Sequence, residues 1–179
     1  MLERVIFGDK RYESLRVEPL DRHGSGKLGG IGETPRPLTR TTHAARRMVL
    51  IDTDVLLDVL QNDAKWAPWS QDQLDAAAAT DPLAINPIIY SELSMAFARI
   101  EELDSVIEEA SLHVEAIPRD ALFLAGKVFL MYRRSQGTKH NVLPDFFIGA
   151  HAAVMQWPIL TRDVGRYRTH FPTVQLITP

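Results

Sequence analysis

The sequence of 179 residues contains no cysteine. This absence excludes a disulfide-stabilised scaffold, a cysteine-ligated zinc site and thiol catalysis. No apolar run approaches the roughly 18–20 residues of a membrane-spanning helix. The N-terminal residues carry charges throughout and include no apolar segment of the signal-peptide type. We therefore expect a cytoplasmic protein that does not enter the membrane.

The sequence also lacks an overall excess of basic residues, since its formal net charge is −3. Residues 1–47 hold ten Lys/Arg and six Asp/Glu, a charge of +4, whereas residues 48–179 hold ten and seventeen, a charge of −7. Non-specific binding of nucleic acid depends on basic residues that release counterions from phosphates. If the acidic part acts on a polyanion, bound divalent cations must offset its carboxylates.

Residues 1–47 differ from the rest of the chain in their pattern. Apolar periodicity is nearly absent there beyond Val5-Ile6-Phe7, so too little apolar surface is available to offset the entropy of ordering. Gly24-Ser25-Gly26-Lys27 lacks the spacing of a phosphate-binding loop. We expect a disordered basic extension at residues 1–47 and one domain at residues 48–179.

From residue 48 the pattern alternates short apolar strands with helices. Strands are predicted at residues 49–51, 83–85, 114–117, 158–161 and 174–177. Helices are predicted at residues 55–60, 71–79, 87–100, 102–110, 120–135 and 144–156. Asn86 followed by Pro87 gives an N-cap and a proline at the first helical position. This order predicts an α/β fold with a short, mostly parallel sheet covered by helices on both faces.

Four acidic residues occupy related places in this layout. Asp52 directly follows the first strand, and Asp163 follows a later one. Asp145 lies in the first turn of a helix, and Glu92 lies in the second turn of another. Strand ends and helix starts share one edge of an open parallel sheet, where ligands bind. Each acid alone has an ordinary explanation, such as a turn or a helix-dipole partner, but their joint placement predicts one site.

Clustered carboxylates need a compensating charge, because they repel one another and raise one another's pKa. Mg²⁺ and Mn²⁺ prefer carboxylate and water oxygens and share their remaining positions with substrate phosphate. Such ions activate water and stabilise a leaving oxygen. The four acids therefore predict a Mg²⁺ or Mn²⁺ site that hydrolyses phosphodiesters.

The segments around these acids resemble a PIN domain, and in particular the VapC-type toxins. The resemblance extends over residues 48–179 with the family's order and spacing. Asp54 departs from the family, which usually has Asn or Ser there, and three roles stay open for it: ligand, neighbouring acceptor or helix cap. The segments that carry the resemblance are Ile51-Asp52-Thr53-Asp54, Ser91-Glu92-Leu93, Leu143-Pro144-Asp145-Phe146 and Leu160-Thr161-Arg162-Asp163.

The resemblance implies a metal-dependent ribonuclease that leaves a 5′-phosphate and a 3′-hydroxyl. It further implies the toxin of a toxin–antitoxin pair, which forms a homodimer and is held inactive by a VapB-type antitoxin. The implied catalytic set comprises the four metal-binding acids and a hydroxyl beside the last of them: Asp52, Glu92, Asp145, Asp163 and Thr161. Five apolar residues either line an antitoxin groove or belong to the core: Phe97, Ile100, Leu103, Val106 and Ile107.

Two basic clusters either hold RNA phosphates or form solvated faces. The first contains Arg162, Arg166 and Arg168, and the second contains Arg133, Arg134, Lys139 and His140.

Other large side chains are expected to be structural. His151 lies six positions after Asp145 in one predicted helix, so the two side chains point apart. It is expected to be a core or dimer histidine. Trp66 and Trp69 are expected in a loop after the first helix, packed against the sheet edge.

Two other functions remain open. Val49-Leu50-Ile51-Asp52-Thr53-Asp54-Val55 fits the strand and D-x-D-x-[TV] loop of a haloacid-dehalogenase-type phosphatase, with Asp52 as nucleophile and Asp54 as acid. The late Gly-Asp motif of that family is missing. The second alternative is a non-catalytic PIN-like binding module, which the departure at Asp54 keeps open.

Overall fold

The computed structural model describes residues 46–135 and 143–179, which belong to one compact unit. The expected N-terminal extension lies outside the described residues except for its last two positions. Lys139 and His140 of the second basic cluster also lie outside them. No helix within the described ranges is long and apolar enough to cross a membrane.

The centre of the fold is a parallel sheet of five short strands in the order β3-β2-β1-β4-β5. Val49 pairs with Leu83 on one side of the first strand, and Leu50 pairs with Ile159 on the other. β2 and β3 lie on one side of β1, and β4 and β5 lie on its other side. The direction in which strands are added therefore reverses between β1 and β4. Ligands of open parallel sheets bind at such a switch point. The strands are β1 Val49–Ile51, β2 Leu83–Ile85, β3 His113–Val114, β4 Ile159–Leu160 and β5 Leu176–Ile177.

Seven helices in the described residues connect and cover these strands. Two of these helices are capped by side chains at the ends of strands: Asp52 accepts from the backbone N–H of Thr53, and Asn86 accepts from those of Ile88 and Ile89. The helices are α1 Thr53–Leu60, α2 Ala67–Ala78, α3 Pro87–Ser94, α4 Ile100–Glu109, α5 Arg119–Arg134, α6 Leu143–Met155 and α7 Val164–His170.

The core lies around the central strands, and every residue of β1, β2 and β4 is buried. Helical side chains such as Ile89, Leu103 and Phe146 pack onto them in one continuous cluster. Strands buried on both faces explain the uninterrupted apolar runs in the sequence. The predicted α/β class and parallel sheet are confirmed.

Three local predictions were wrong. The helix predicted at residues 87–100 ends at Ser94. Backbone hydrogen bonds between each of residues 95–97 and the residue three positions earlier form its last turn, and Arg99 is extended before α4. The strand predicted at residues 114–117 is limited to His113–Val114. The loop predicted around Trp66 and Trp69 is instead the start of α2.

One helix was not predicted at all. It is α7, whose first N–H groups are capped by Asp163: the carboxylate accepts from the N–H of Arg166 at 3.1 Å. The helix has seven residues and includes Gly165 and two β-branched residues, Val164 and Thr169. These residues have low intrinsic helix propensity, so the cap and tertiary packing determine this element.

Candidate active site

Asp52 lies at the end of β1, next to the end of β4. Its Oδ2 accepts from the Thr161 hydroxyl at 2.6 Å, and its Oδ1 accepts from the N–H of Thr53 at 3.0 Å. The residue is only 7 % exposed, and burial raises the pKa of its carboxyl to about 6. The Thr161 hydrogen bond opposes this rise, and the charge of Asp54 adds to it. Two adjacent strands therefore orient one buried carboxylate.

Glu92 reaches the same place from the second turn of α3. The hydroxyl of Thr53 donates to its Oε2, so Thr53 joins Glu92 to Asp52 through its side chain and its backbone. Burial raises the pKa of Glu92, and the nearby charge of Asp145 acts in the same direction. The length of the glutamate side chain thus allows a residue in the second turn of α3 to place its carboxylate at the edge of the sheet.

Asp145 and Asp163 come from the first turn of α6 and the N-cap of α7. Arg166 joins them: its Nη1 is 2.5 Å from Asp145 Oδ1, and its Nε is 2.9 Å from Asp163 Oδ2. Thr161 connects this pair to Asp52, because its hydroxyl oxygen also accepts from the N–H of Asp163 at 3.0 Å. Burial raises the pKa of Asp145 despite the opposing charge of Arg166.

The four predicted acids therefore belong to one network, which we call the carboxylate network. Three side chains connect them: Thr53, Thr161 and Arg166. Thr161 was predicted to belong to the site from the sequence, whereas Thr53 was not, although Thr53 stands inside the motif that carries Asp52. Arg166 was placed in a basic cluster, and its spacing of three residues from Asp163 was the signal for an internal ion pair.

Asp54 lies outside this network. Its side chain is 54 % exposed, and Arg162 Nη2 lies 4.0 Å from Asp54 Oδ2. Its charge nevertheless raises the pKa of Asp52, Glu92 and Asp145 after the larger effect of burial. It therefore acts on the site through space.

Arg162 holds a different carboxylate. Its Nε is 2.8 Å from Oδ2 of the buried Asp58, which also accepts from the Ser70 hydroxyl at 2.7 Å. Arg162 also lies 5.1 Å from the Trp66 ring. The first basic cluster is thus divided: Arg162 stabilises the α1–α2 packing, Arg166 joins the carboxylate network, and Arg168 is exposed.

His151 is a core residue, one of the two roles expected for it. It is fully buried, its Nδ1 is 3.4 Å from Asn86 Nδ2, and its ring centroid is 5.2 Å from that of Trp157. Burial lowers the pKa of His151 to about 4, so the ring is neutral at physiological pH.

The carboxylate network offers only oxygen ligands, and this donor set fits Mg²⁺ or Mn²⁺. Burial raises the pKa of three of its acids, because their charged forms have lost solvation by water. A bound cation would stabilise these charged forms. Among residues 46–135 and 143–179, no three acidic or histidine side chains form a ready-made ion site. Arg166 instead supplies the cation between Asp145 and Asp163.

The profile of the PIN domain family matches residues 49–171. The chain therefore belongs to the PIN domain family, and this assignment excludes the phosphatase alternative. A comparison with curated protein sequences gives no match.

Three solved structures share the fold of this chain. VapBC2 from Rickettsia felis, bound to a DNA fragment from its promoter, matches with a TM-score of 0.59 and 16% identity over 74% of this chain and 98% of that chain. VapBC from Salmonella typhimurium, bound to DNA, matches with a TM-score of 0.57 and 15% identity over 74% and 98%. VapBC-1 from nontypeable Haemophilus influenzae matches with a TM-score of 0.55 and 17% identity over 73% and 97%. At these identities the likeness concerns the fold.

Proposed function

We propose that the chain is a Mg²⁺- or Mn²⁺-dependent endoribonuclease that acts as the toxin of a toxin–antitoxin pair. The observation that carries this proposal is the carboxylate network at the switch point of the sheet. Its acids come from four separate segments of the chain, and they are held by specific hydrogen bonds and ion pairs. Membership of the PIN family and the fold of the VapBC structures support the same function.

The proposed chemistry is hydrolysis of a phosphodiester that leaves a 5′-phosphate and a 3′-hydroxyl. Bound Mg²⁺ or Mn²⁺ supplies Lewis-acid activation of water and of the phosphate. The acids of the carboxylate network would hold the ion, and Thr161 and Thr53 orient Asp52 and Glu92 through hydrogen bonds. The Arg166 side chain pairs with Asp145 and Asp163 and is 45 % exposed, and we propose that it also contacts a phosphate of the RNA.

The test is brief induction of the chain in a bacterial host, followed by sequencing of RNA ends that carry a 5′-phosphate. We expect new ends with the wild type and none with Asp145→Asn, which removes one network charge with little change of shape. Asp72→Asn, at an exposed position of α2, is the matched control and should cleave as the wild type does. Absence of new ends with the wild type would favour the non-catalytic binding module.

We also propose that a VapB-type antitoxin binds an apolar cleft of about 210 Å³ between α1, α2 and α4. Leu103, Val106 and Ile107 line this cleft, whereas Ile100 is exposed outside it and Phe97 packs against the core. Leu60 lines the cleft and remains partly exposed. Leu60→Glu should therefore escape neutralisation by an antitoxin that inhibits the wild type, while its cleavage of RNA is unchanged.

We also propose that the chain forms a homodimer, with α5 at the interface. Phe123, Leu130 and Met131 are exposed large apolar residues of this helix, and their spacing of seven and eight positions places them on one face. Association would remove this stripe from water. Met131→Glu should convert a dimer to a monomer in light scattering, and an unchanged dimer mass would place the interface elsewhere.

A further inference from the structure

Tyr167 extends from α7 into the centre of the molecule. The residue is 1 % exposed, and its ring belongs to the apolar core. Its hydroxyl lies beside the carboxylate network, near enough to the Asp52 carboxylate for each to affect the pKa of the other. A core aromatic ring thus brings one polar atom to the inner side of the site.

This hydroxyl is buried, and its contact with the Asp52 carboxylate acts on both pKa values as a hydrogen bond does, although it misses the geometry of a regular hydrogen bond within the part of the chain that the structure describes. A buried polar group without a partner costs free energy, which phenylalanine would avoid at the same volume. Burial raises the pKa of the Tyr167 hydroxyl well above 10, and the charges of Asp52 and Asp145 raise it further. Tyr167 therefore keeps its proton and is available as a donor.

Asp52 can accept a hydrogen bond from the Tyr167 hydroxyl in addition to those from its present partners. Each oxygen of Asp52 accepts one hydrogen bond, from Thr161 or from the N–H of Thr53. A carboxylate has about four lone-pair positions, so one of its oxygens can accept a second donor.

We propose that Tyr167 is a positioning residue of the metal site, whose hydroxyl donates to the Asp52 carboxylate when a divalent cation is bound. This role rests on the proposed function, because it requires that Asp52 hold an ion. Donors that orient ligating carboxylates strengthen ion binding, typically by about 10- to 100-fold.

The test is titration of the full chain with Mn²⁺, followed by the electron paramagnetic resonance signal of the free ion. Tyr167→Phe removes only the hydroxyl, and we expect it to raise the Kd for Mn²⁺ at least about tenfold. The Tm in EDTA should be unchanged or higher, because an unpartnered buried group is removed. Tyr90→Phe is the control: its hydroxyl donates to Asp104 at the surface at 2.7 Å, so Mn²⁺ binding should be unaffected.

The possible results separate this role from the function on which it rests. If the wild type binds no Mn²⁺, the proposed metal site fails, and the role of Tyr167 fails with it. If the wild type and Tyr167→Phe bind Mn²⁺ equally, the metal site stands and the positioning role is overturned. A variant that loses several degrees of Tm in EDTA but binds Mn²⁺ normally when folded would assign the hydroxyl to structure alone.

Discussion

Asp52 and Asp58 are both buried carboxylates at α1, but their surroundings differ. Asp58 has a cation and a hydroxyl as partners, since Arg162 and Ser70 both contact its Oδ2. Asp52 accepts hydrogen bonds from Thr161 and Thr53 but has no ion pair within residues 46–135 and 143–179, and burial raises its pKa from 3.8 to about 6. Arg162 thus stabilises the charge of Asp58, whereas the charge of Asp52 has no cation beside it in the described part of the chain. This is expected for an acid whose counter-ion is a bound ligand.

Replacement of Asp52 by Asn should make metal-free stability less dependent on pH. An acid with a raised folded pKa binds more protons when folded, so the free energy of unfolding decreases as pH rises from about 4 to about 6. The raised pKa of Asp52 corresponds to a loss of at most roughly 3 kcal/mol in the free energy of unfolding. Asp52→Asn avoids this loss, but the hydrogen bonds that the variant loses offset part of the gain. In EDTA at pH 8, urea unfolding should show Asp52→Asn to be as stable as the wild type or more stable.

Asp58→Asn provides the contrast for this measurement. It weakens the ion pair with Arg162 and should destabilise the protein by about 1–3 kcal/mol at the same pH. A loss of more than about 1 kcal/mol in Asp52→Asn as well would show that both acids are structural. The sequence indicated which acid follows a strand, but it did not indicate that Arg162 and Ser70 converge on Asp58.

At the scale of elements, the packing of α6 against α7 brings Asp145 and Asp163 together. Gly149 lies on α6, one turn after Asp145, and the buried ring of Phe171 follows α7 directly. A Cβ atom built at Gly149 would overlap with this ring. The absence of a side chain at Gly149 therefore permits the close approach of the segments that carry Arg166 and both acids.

Gly149→Ala should destabilise the protein, although alanine is the better helix former. Overpacking a buried contact costs about 1–3 kcal/mol. The added Cβ would lie only 2.3 Å from the Phe171 ring, so we expect a cost near the upper end of this range, above the roughly 1 kcal/mol gained in helix propensity. Gly126→Ala is the matched control in α5, where no atom lies within 4 Å of the added Cβ. Thermal unfolding should show a lower Tm for Gly149→Ala and a slightly higher Tm for Gly126→Ala. Equal increases in both would contradict the packing described here.

Elements with a strong apolar pattern were predictable from the sequence. The buried strands β1, β2 and β4 and the amphipathic helices α4 and α5 were predicted within a few residues. α7 was not, because its formation depends on the Asp163 cap and on burial of Tyr167. The end of α3 was placed too late, because residues 95–99 continue the helical composition while their backbone turns toward α4.

At the scale of the molecule, the sequence predicted that four distant acids meet, because strand ends and helix starts share an edge in a parallel sheet. It did not predict the cation between Asp145 and Asp163 or the donors on Asp52 and Glu92. Those contacts depend on side-chain conformations that no spacing rule gives. The topology was therefore predictable, and the electrostatic balance of the site was not.

The domain boundary proposed at residue 48 is testable by truncation. A chain that begins at Met48 keeps β1 and all described core residues. It loses the hydrogen bond from the Trp157 indole to the Arg46 carbonyl at 3.1 Å and the ion pair of Arg47 with Asp81. These contacts are worth about 1 kcal/mol, so Tm should fall by a few degrees only. A fall of more than about 10 °C would assign a structural role to residues 1–47.

The central claim is that the carboxylate network holds a divalent cation that cleaves RNA, and cleavage by metal-stripped protein tests it most directly. We expect no cleavage in excess EDTA and full recovery when Mn²⁺ is added beyond the chelator. Asp145→Asn, compared at equal folded fraction, should remain at least about 100-fold slower, or about 2.7 kcal/mol of transition-state stabilisation. Full cleavage by protein with no measurable metal would contradict the account.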